Sequence, residues 1–306
     1  MSAEPPQPSA LVTRLRRTIT QEIYLAAGLA RQRWARLALA PLFFLPAQRF
    51  ARRAARFDAD LVRTGFSTAA RTLLGGLVER VGIYGAAHIP ENGPVLLACN
   101  HPGAYDGIAV FTGLQRNDLA LVASGVDFTR SLPNTSPHLI YVTKDTHVRM
   151  TAVRQSLRHL QAGGALMIFA SGLVDPDPAL WPQQARLALR NWYGSVALFL
   201  RHVPQTRLVT TITSHVLAES VTHSPLLKLV RQDWEKRRLA EYLQLIQQLA
   251  FGRRFGLSPR VSFAPAVTLP ELGGKDAEAD ILAQAEQRLE EHVDRPVTEF
   301  QFLGLS

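Results

Sequence analysis

An imidazole and a carboxylate five residues apart, at the end of an apolar run, speak more directly to a reaction than anything else in this chain. The run Val95-Leu96-Leu97-Ala98-Cys99 reads as a buried strand and ends on Asn100. His101, a Pro102-Gly103 turn and Asp106 follow. This spacing can set His101 at the exposed end of a strand with Asp106 close enough to orient its ring. An imidazole so oriented can take a proton from an alcohol near neutral pH. The chain has nine histidines, so a His and an Asp at this spacing also arise by chance. Asn, Pro, Gly and Asp are ordinary turn residues as well. Catalytic base and plain turn are separated only by what surrounds the pair.

The surrounding pattern is one of short apolar runs separated by helical or loop material. Leu119–Ala123, Leu139–Val142, Ala165–Ala170, Arg207–Thr213 and Val261–Phe263 are strand candidates. Met150–Gln161 is helical by the spacing of Val153, Leu157 and Leu160, and it ends at Gly163-Gly164. Asp276–His292 reads as a charged amphipathic helix. Such alternation predicts an α/β fold: a mixed, largely parallel central sheet flanked by helices. In open α/β sheets, functional groups collect at the carboxyl ends of strands. Three runs would deliver such groups to one edge: His101 after the first, Lys144 after Leu139–Val142, and Ser171-Gly172 after Ala165–Ala170.

At 306 residues, with 47% hydrophobic and 19% charged side chains, the chain can bury a large core and is not a disordered one. Its single cysteine, Cys99, excludes an intrachain disulfide and a Cys-based zinc cluster, and its place in the apolar run suggests a small buried side chain. There is no Gly-x-Ser-x-Gly elbow, Walker-type phosphate loop or Rossmann glycine fingerprint.

The net charge of +9 is uneven. Residues 1–63 hold eleven arginines, no lysine and four acids, which gives this segment +7. A basic segment calls for an anionic partner or ample solvent. Nucleic acid is disfavoured, because no base-reading motif accompanies the charge. Residues 10–75 read as two or three amphipathic helices, approximately Leu11–Arg36 and Gln48–Leu74, with Arg49, Arg52, Arg53 and Arg56 on one stripe and Phe50, Ala54, Phe57 and Leu61 on another. The apolar stretch Leu37–Ala47 is interrupted by Pro41 and Pro46 and is too short for a span, which needs about twenty residues. The expected reading is an apolar wedge flanked by arginines on an anionic membrane surface. The alternative is that these helices pack on the remaining chain and show their arginines to water. No stretch resembles a cleavable leader, so a peripheral or monotopic place on the cytoplasmic face is expected. The expected divisions are 1–75 (basic helices), 76–270 (α/β domain) and 271–306 (helix and tail).

The order of these blocks resembles the glycerolipid acyltransferase family, which includes lysophosphatidic acid and glycerol-3-phosphate acyltransferases. The family's Asn-His-x4-Asp after a strand is matched by Asn100, His101 and Asp106. Its second block, an apolar strand ending on a basic residue, is matched by Leu139–Val142 and Lys144, where the family commonly has arginine. Its third block, Phe-Pro-Glu-Gly-Thr-Arg, aligns with Phe169-Ala170-Ser171-Gly172-Leu173-Val174. Phe169 and Gly172 match, whereas Ser171 replaces the glutamate and Val174 the arginine. The fourth block is only echoed by Leu208–Ile212. The resemblance covers roughly residues 78–268.

The resemblance implies a membrane-associated enzyme that moves a fatty acyl group from acyl-CoA or acyl carrier protein to a lipid hydroxyl, with a lysophosphatidate-like acceptor. His101 would be the general base and Asp106 would fix its tautomer. Asn100, Gly103, Lys144, Phe169, Ser171 and Gly172 would contact substrate, with backbone N–H groups near Gly103 or the Ser171-Gly172 turn meeting the oxyanion. A thioester is already activated, so neither a serine or cysteine nucleophile, a metal nor a bound cofactor is expected. The altered third block puts the phosphate-bearing acceptor in question, with Arg149 and Arg154 as substitutes unless they are simply solvated. It also motivates a second reading, a catalytically silent lipid-binding relative. Asp175-Pro176-Asp177-Pro178 reads as a stiffened loop rather than a metal site.

Overall fold

The computed structural model describes residues 8–26, 32–143, 145–273 and 276–305. The chain opens with two helices, α1 (Pro8–Ala26) and α2 (Arg33–Leu74), and then enters the sheet with β1 (Val81–Tyr84) and β2 (Val95–Cys99). There follow α3 (Asp106–Thr112), β3 (Leu119–Ser124), α4 (Asp127–Arg130), β4 (Leu139–Val142), α5 (Thr146–Gln161) and β5 (Ala165–Phe169). The second half runs α6 (Pro182–Ala188), α7 (Tyr193–His202), β6 (Arg207–Ser214), α8 (Glu219–Thr222), α9 (Asp233–Phe251), β7 (Arg260–Phe263), α10 (Ala277–Asp294) and β8 (Gln301–Leu303).

The strands form one sheet in the order β4-β3-β5-β2-β6-β7-β1-β8. Neighbours are parallel except β6 with β7 and β1 with β8. This is the mixed, largely parallel α/β sheet that the alternation of runs predicts. The central strands are buried on both faces, as their unbroken apolar character requires. Val95, Leu97 and Cys99 of β2, with Met167 of β5, face a core closed by α2, α3 and α9. Leu96 and Ala98, with Leu166 and Ile168, face the opposite core, closed by α5, α6, α7 and α10. That is the period-two alternation of a strand applied to two apolar layers.

The N-terminal helices depart from expectation in two respects. First, α2 continues through Pro41 and Pro46, so Leu37–Ala47 is helical rather than a proline-broken wedge. Leu11, Leu15 and Ile19 of α1 pack against Ala47, Ala51 and Ala54 of α2, and this burial offsets the hydrogen bonds that each proline removes. Second, the arginine stripe divides. Arg49 donates to the carbonyl of Leu249 at 2.7 Å, and Arg53 to that of Gly75 at 2.7 Å, both at helix C-terminal ends where carbonyls lack partners. Arg52 and Arg56 stay exposed, with Arg56 3.4 Å from Asp60. Phe57, Leu61, Phe66 and Leu74 belong to the same core as the sheet.

α2 bends at Gly65, whose φ of 77° lies in the left-handed region. The Asn117 side chain enters there, so an added Cβ would stand 2.5 Å from its oxygen. Among the described residues, no helix is long and apolar enough to cross a membrane.

α2 is fastened to the loop before β4 by a buried carboxylate. Asp58 accepts from the N–H of Asn134 at 3.0 Å, the Asn134 amide at 3.0 Å, and the N–H and hydroxyl of Thr135, both at 2.8 Å. Asp58→Ala leaves these donors without an acceptor, and the expected loss is about 3 kcal/mol of unfolding free energy. Urea denaturation at pH 7 measures it, and an unchanged midpoint would show that the clamp adds nothing.

Candidate active site

The site forms where β2, β5 and β6 end together. Cys99 stands in register with Phe169 on one side and Thr211 on the other, so the residues that follow emerge at one edge. Asn100 is buried, and its side chain accepts from Thr213 N–H at 2.8 Å and donates to Thr213 C=O at 2.9 Å. Both ends of the amide are therefore committed to β6. Asn100 holds the strand end in place rather than offering a free group to a substrate.

His101 is held at its backbone and at its ring. Its N–H donates to Asp175 Oδ2 at 2.9 Å, and its carbonyl accepts from Asp175 N–H at 2.7 Å. Its Nδ1 lies 2.6 Å from Asp106 Oδ2, and the ring stacks on Phe169 with centroids 4.1 Å apart. Phe169, expected to face substrate, thus supports the imidazole. Asp106 is buried, opens α3, and also accepts from the N–H of Gly103 at 3.1 Å and from that of Gly107. With Nδ1 facing a carboxylate, Nε2 becomes the nitrogen available for proton transfer.

The expected oxyanion donors are otherwise engaged. Gly103 N–H is committed to Asp106. Gly172 N–H donates to Phe169 C=O at 2.9 Å, which closes a turn. Ser171 Oγ donates to Leu173 C=O at 3.1 Å and accepts from Leu173 N–H at 3.2 Å. Donors already aimed at other oxygens do not form a prepared hole. Gly103 has a different use: a Cβ there would meet Val216 at 3.3 Å and the Glu241 carboxyl carbon at 3.5 Å, so glycine lets α9 approach. Lys144 lies outside the described residues. Arg149 and Arg154 are exposed on α5.

The Asp-Pro-Asp-Pro loop fastens the site from behind. Buried Asp177 accepts from the N–H groups of Ala179, His215, Val216 and Leu217 at 2.9 to 3.3 Å. It thereby ties the loop after β5 to the turn after β6. His215 has a φ of 60°, a conformation this clamp stabilises. Cys99 is buried, and burial with the nearby Asp106 charge pushes its thiol up, so it stays protonated and inert.

Three further residues, not anticipated from sequence, shape the electrostatics: Asp175, Glu241 and Arg237. Burial alone pulls the His101 imidazole down, but Asp106, through charge and hydrogen bond, and then Glu241 and Asp175 outweigh it and push it up to about 9. Burial lifts Glu241 to about 8, against the favourable field of His101. Its Oε1 is buried without a hydrogen-bond partner, as a carboxyl neutral at pH 7 allows. Arg237 lies one turn before Glu241 and is lowered by burial, while Asp233, Asp175 and Glu241 act the other way. The signal that could have exposed α9 is the Gln232/Glu235 start, where Glu235 reaches back to Gln232 N–H at 3.3 Å, followed by Leu239 and Leu243 at helical spacing.

No family model matches the chain, and no curated protein matches it in sequence. Among solved structures it is similar to the 1-acyl-sn-glycerophosphate (LPA) acyltransferase PlsC from Thermotoga maritima. The identity is 13%, the match covers 94% of this chain and 96% of that one, and the TM-score is 0.45. Likeness at this level carries no argument about the reaction, which rests on the site.

Folding raises the His101 pKa from its ordinary 6.5 to about 9. The charged ring therefore contributes to stability fully below about pH 6.5, and the contribution is lost as pH rises through 9. An NMR titration of the His101 ring should give a midpoint near 9 in the wild type and a lower one in Asp106→Asn. Midpoints near 6.5 in both would remove Asp106 as the cause.

Proposed function

We propose that the protein is an acyltransferase that moves a fatty acyl group from acyl-CoA or acyl carrier protein to the hydroxyl of a lipid, with a lysophosphatidate-like acceptor. The observation that carries this reading is the His101–Asp106 contact of 2.6 Å at the carboxyl edge of the sheet, with the ring partly open to solvent. His101 Nε2 takes the proton of the acceptor hydroxyl as its oxygen attacks the thioester carbon. Asp106 holds the tautomer and meets the charge on the imidazolium. As the tetrahedral intermediate collapses, the C–S bond breaks and the imidazolium returns the proton to the departing thiolate. The chemistry needs no nucleophile from the protein, because the thioester supplies the activated carbonyl.

A ring with a pKa near 9 is almost wholly protonated at pH 7, with about 1% in the basic form. The basic form grows with pH, so transfer should be faster in mildly alkaline solution.

The surface of α2 supports action at a bilayer. Trp34, Leu37, Leu42, Phe44 and Leu45 are exposed large apolar side chains, with Arg16 lying over the Phe44 ring at 4.7 Å. Exposed apolar residues among arginines fit a peripheral or monotopic contact with anionic lipid on the cytoplasmic face.

The second reading, a silent lipid-binding relative, draws on the replacement of the third-block glutamate and arginine by Ser171 and Val174. One experiment separates the two. Transfer from radiolabelled palmitoyl-CoA and palmitoyl carrier protein to a panel of lipid acceptors in vesicles is compared for wild type and His101→Ala. The enzyme reading expects product in the wild type and a loss of about 10²- to 10⁴-fold in the variant. Vesicle binding with no product from any donor and acceptor would support the silent relative.

A further inference from the structure

A cavity of about 400 Å³ opens between α8, α9 and the segment leading into α6. Trp181 and Leu227 give it apolar wall, while Lys228, Lys236 and Arg237 bring three cations to it against one acid, Asp233. Asp233 pairs with Lys236 at 3.0 Å, toward the solvent side. The remaining cations are left in excess.

Arg237 is the member with a buried, unpartnered nitrogen. It is only partly exposed, and its Nε is buried without a hydrogen-bond partner. A buried guanidinium nitrogen with no acceptor is costly, and a ligand that brings oxygens to it relieves that cost. The carboxylates within its field do not settle the matter. Glu241 packs against Gly103, with burial pushing it up to about 8, and Asp175 is engaged with His101 N–H.

The cavity stands beside the candidate active site. Arg237 and Glu241 are four residues apart on α9, about 6 Å along the axis. Glu241 packs against Gly103, two residues beyond His101. His101 is absent from the cavity wall, so a ligand seated on Arg237 would lie beside the imidazole rather than cover it. A guanidinium presents a planar fork of donors that matches a tetrahedral oxyanion, and flanking ammonium groups add charge without fixed geometry.

We propose that this cavity is a phosphate-monoester site, with Arg237 as its inner ligand and Lys236 and Lys228 at the mouth. It rests on the acyltransferase reading for its purpose: it anchors one phosphate-bearing substrate so that the reacting group meets His101. A phosphate monoester has two sources in such a reaction, the head of a lysophosphatidate acceptor and the 3′-phosphate of coenzyme A.

Calorimetric binding on the full chain tests the site without requiring transfer. The probes are inorganic phosphate, short-chain lysophosphatidate, coenzyme A and dephospho-coenzyme A. Arg237→Ala should weaken the phosphate-bearing ligand by about tenfold or more, with Arg237→Lys intermediate. Lys236→Ala, at a partly exposed side chain already paired with Asp233, serves as a second variant that removes no buried nitrogen, and it should weaken the same ligand less. Loss of a preference for coenzyme A over its dephospho form assigns the site to the donor. Loss confined to lysophosphatidate assigns it to the acceptor. Unchanged affinities in a folded Arg237→Ala protein, or no binding of any probe by the wild type, would overturn the site. Arg237-dependent binding by a protein that transfers no acyl group would keep the site and remove the acyltransferase reading instead.

Discussion

A carboxylate taken out of water must be met by donors or give up its charge, and the carboxyl end of this sheet is arranged around that demand. Asp177 is met by four backbone N–H groups from two loops. Asp175 is met by the His101 N–H, and Asp106 by the His101 ring and the N–H groups of Gly103 and Gly107. Glu241, whose Oε1 lacks a partner, is the one that protonates instead. The loops after β2, β5 and β6 are consequently fixed to one another by charges they cannot leave unsatisfied. The imidazole sits among those carboxyl groups, and its high proton affinity is the electrostatic consequence.

Much of the framework can be read from the chain because it depends on local pattern. β2 and β4 fall on the runs Val95–Cys99 and Leu139–Val142, and α10 begins one residue after Asp276, whose side chain caps it. These elements bury apolar residues at a single period and close on turn or cap residues. The His101–Asp106 pairing is legible for the same reason, since five residues and a Pro-Gly turn bring the two side chains together. The parts that stay hidden are long-range. Nothing near Asp175 in sequence says that it holds the His101 backbone from 74 residues away. Glu241 reaches the site only because α9 packs over Gly103. Phe169 matches a family position, yet its place beneath the imidazole follows from the Cys99–Phe169 register between two strands. The division of the arginine stripe is equally invisible, because Arg49 finds its acceptor only once the end of α9 is beside it.

The altered third block becomes intelligible in this geometry. The Ser171-Gly172 turn is closed on its own backbone, so that turn offers no charge to a substrate. Cations line the cavity on α9, at Lys236 and Arg237. The reading of function falls on the residues that meet at the edge.

The pH dependence of kcat/KM for acyl transfer reports the protonation of the free enzyme's base, and so whether His101 is that base. The rate should climb from pH 6 and level near the His101 pKa of about 9, with the limb moved to lower pH in Asp106→Asn. A profile flat across that range, or a limb unmoved by the substitution, would contradict it.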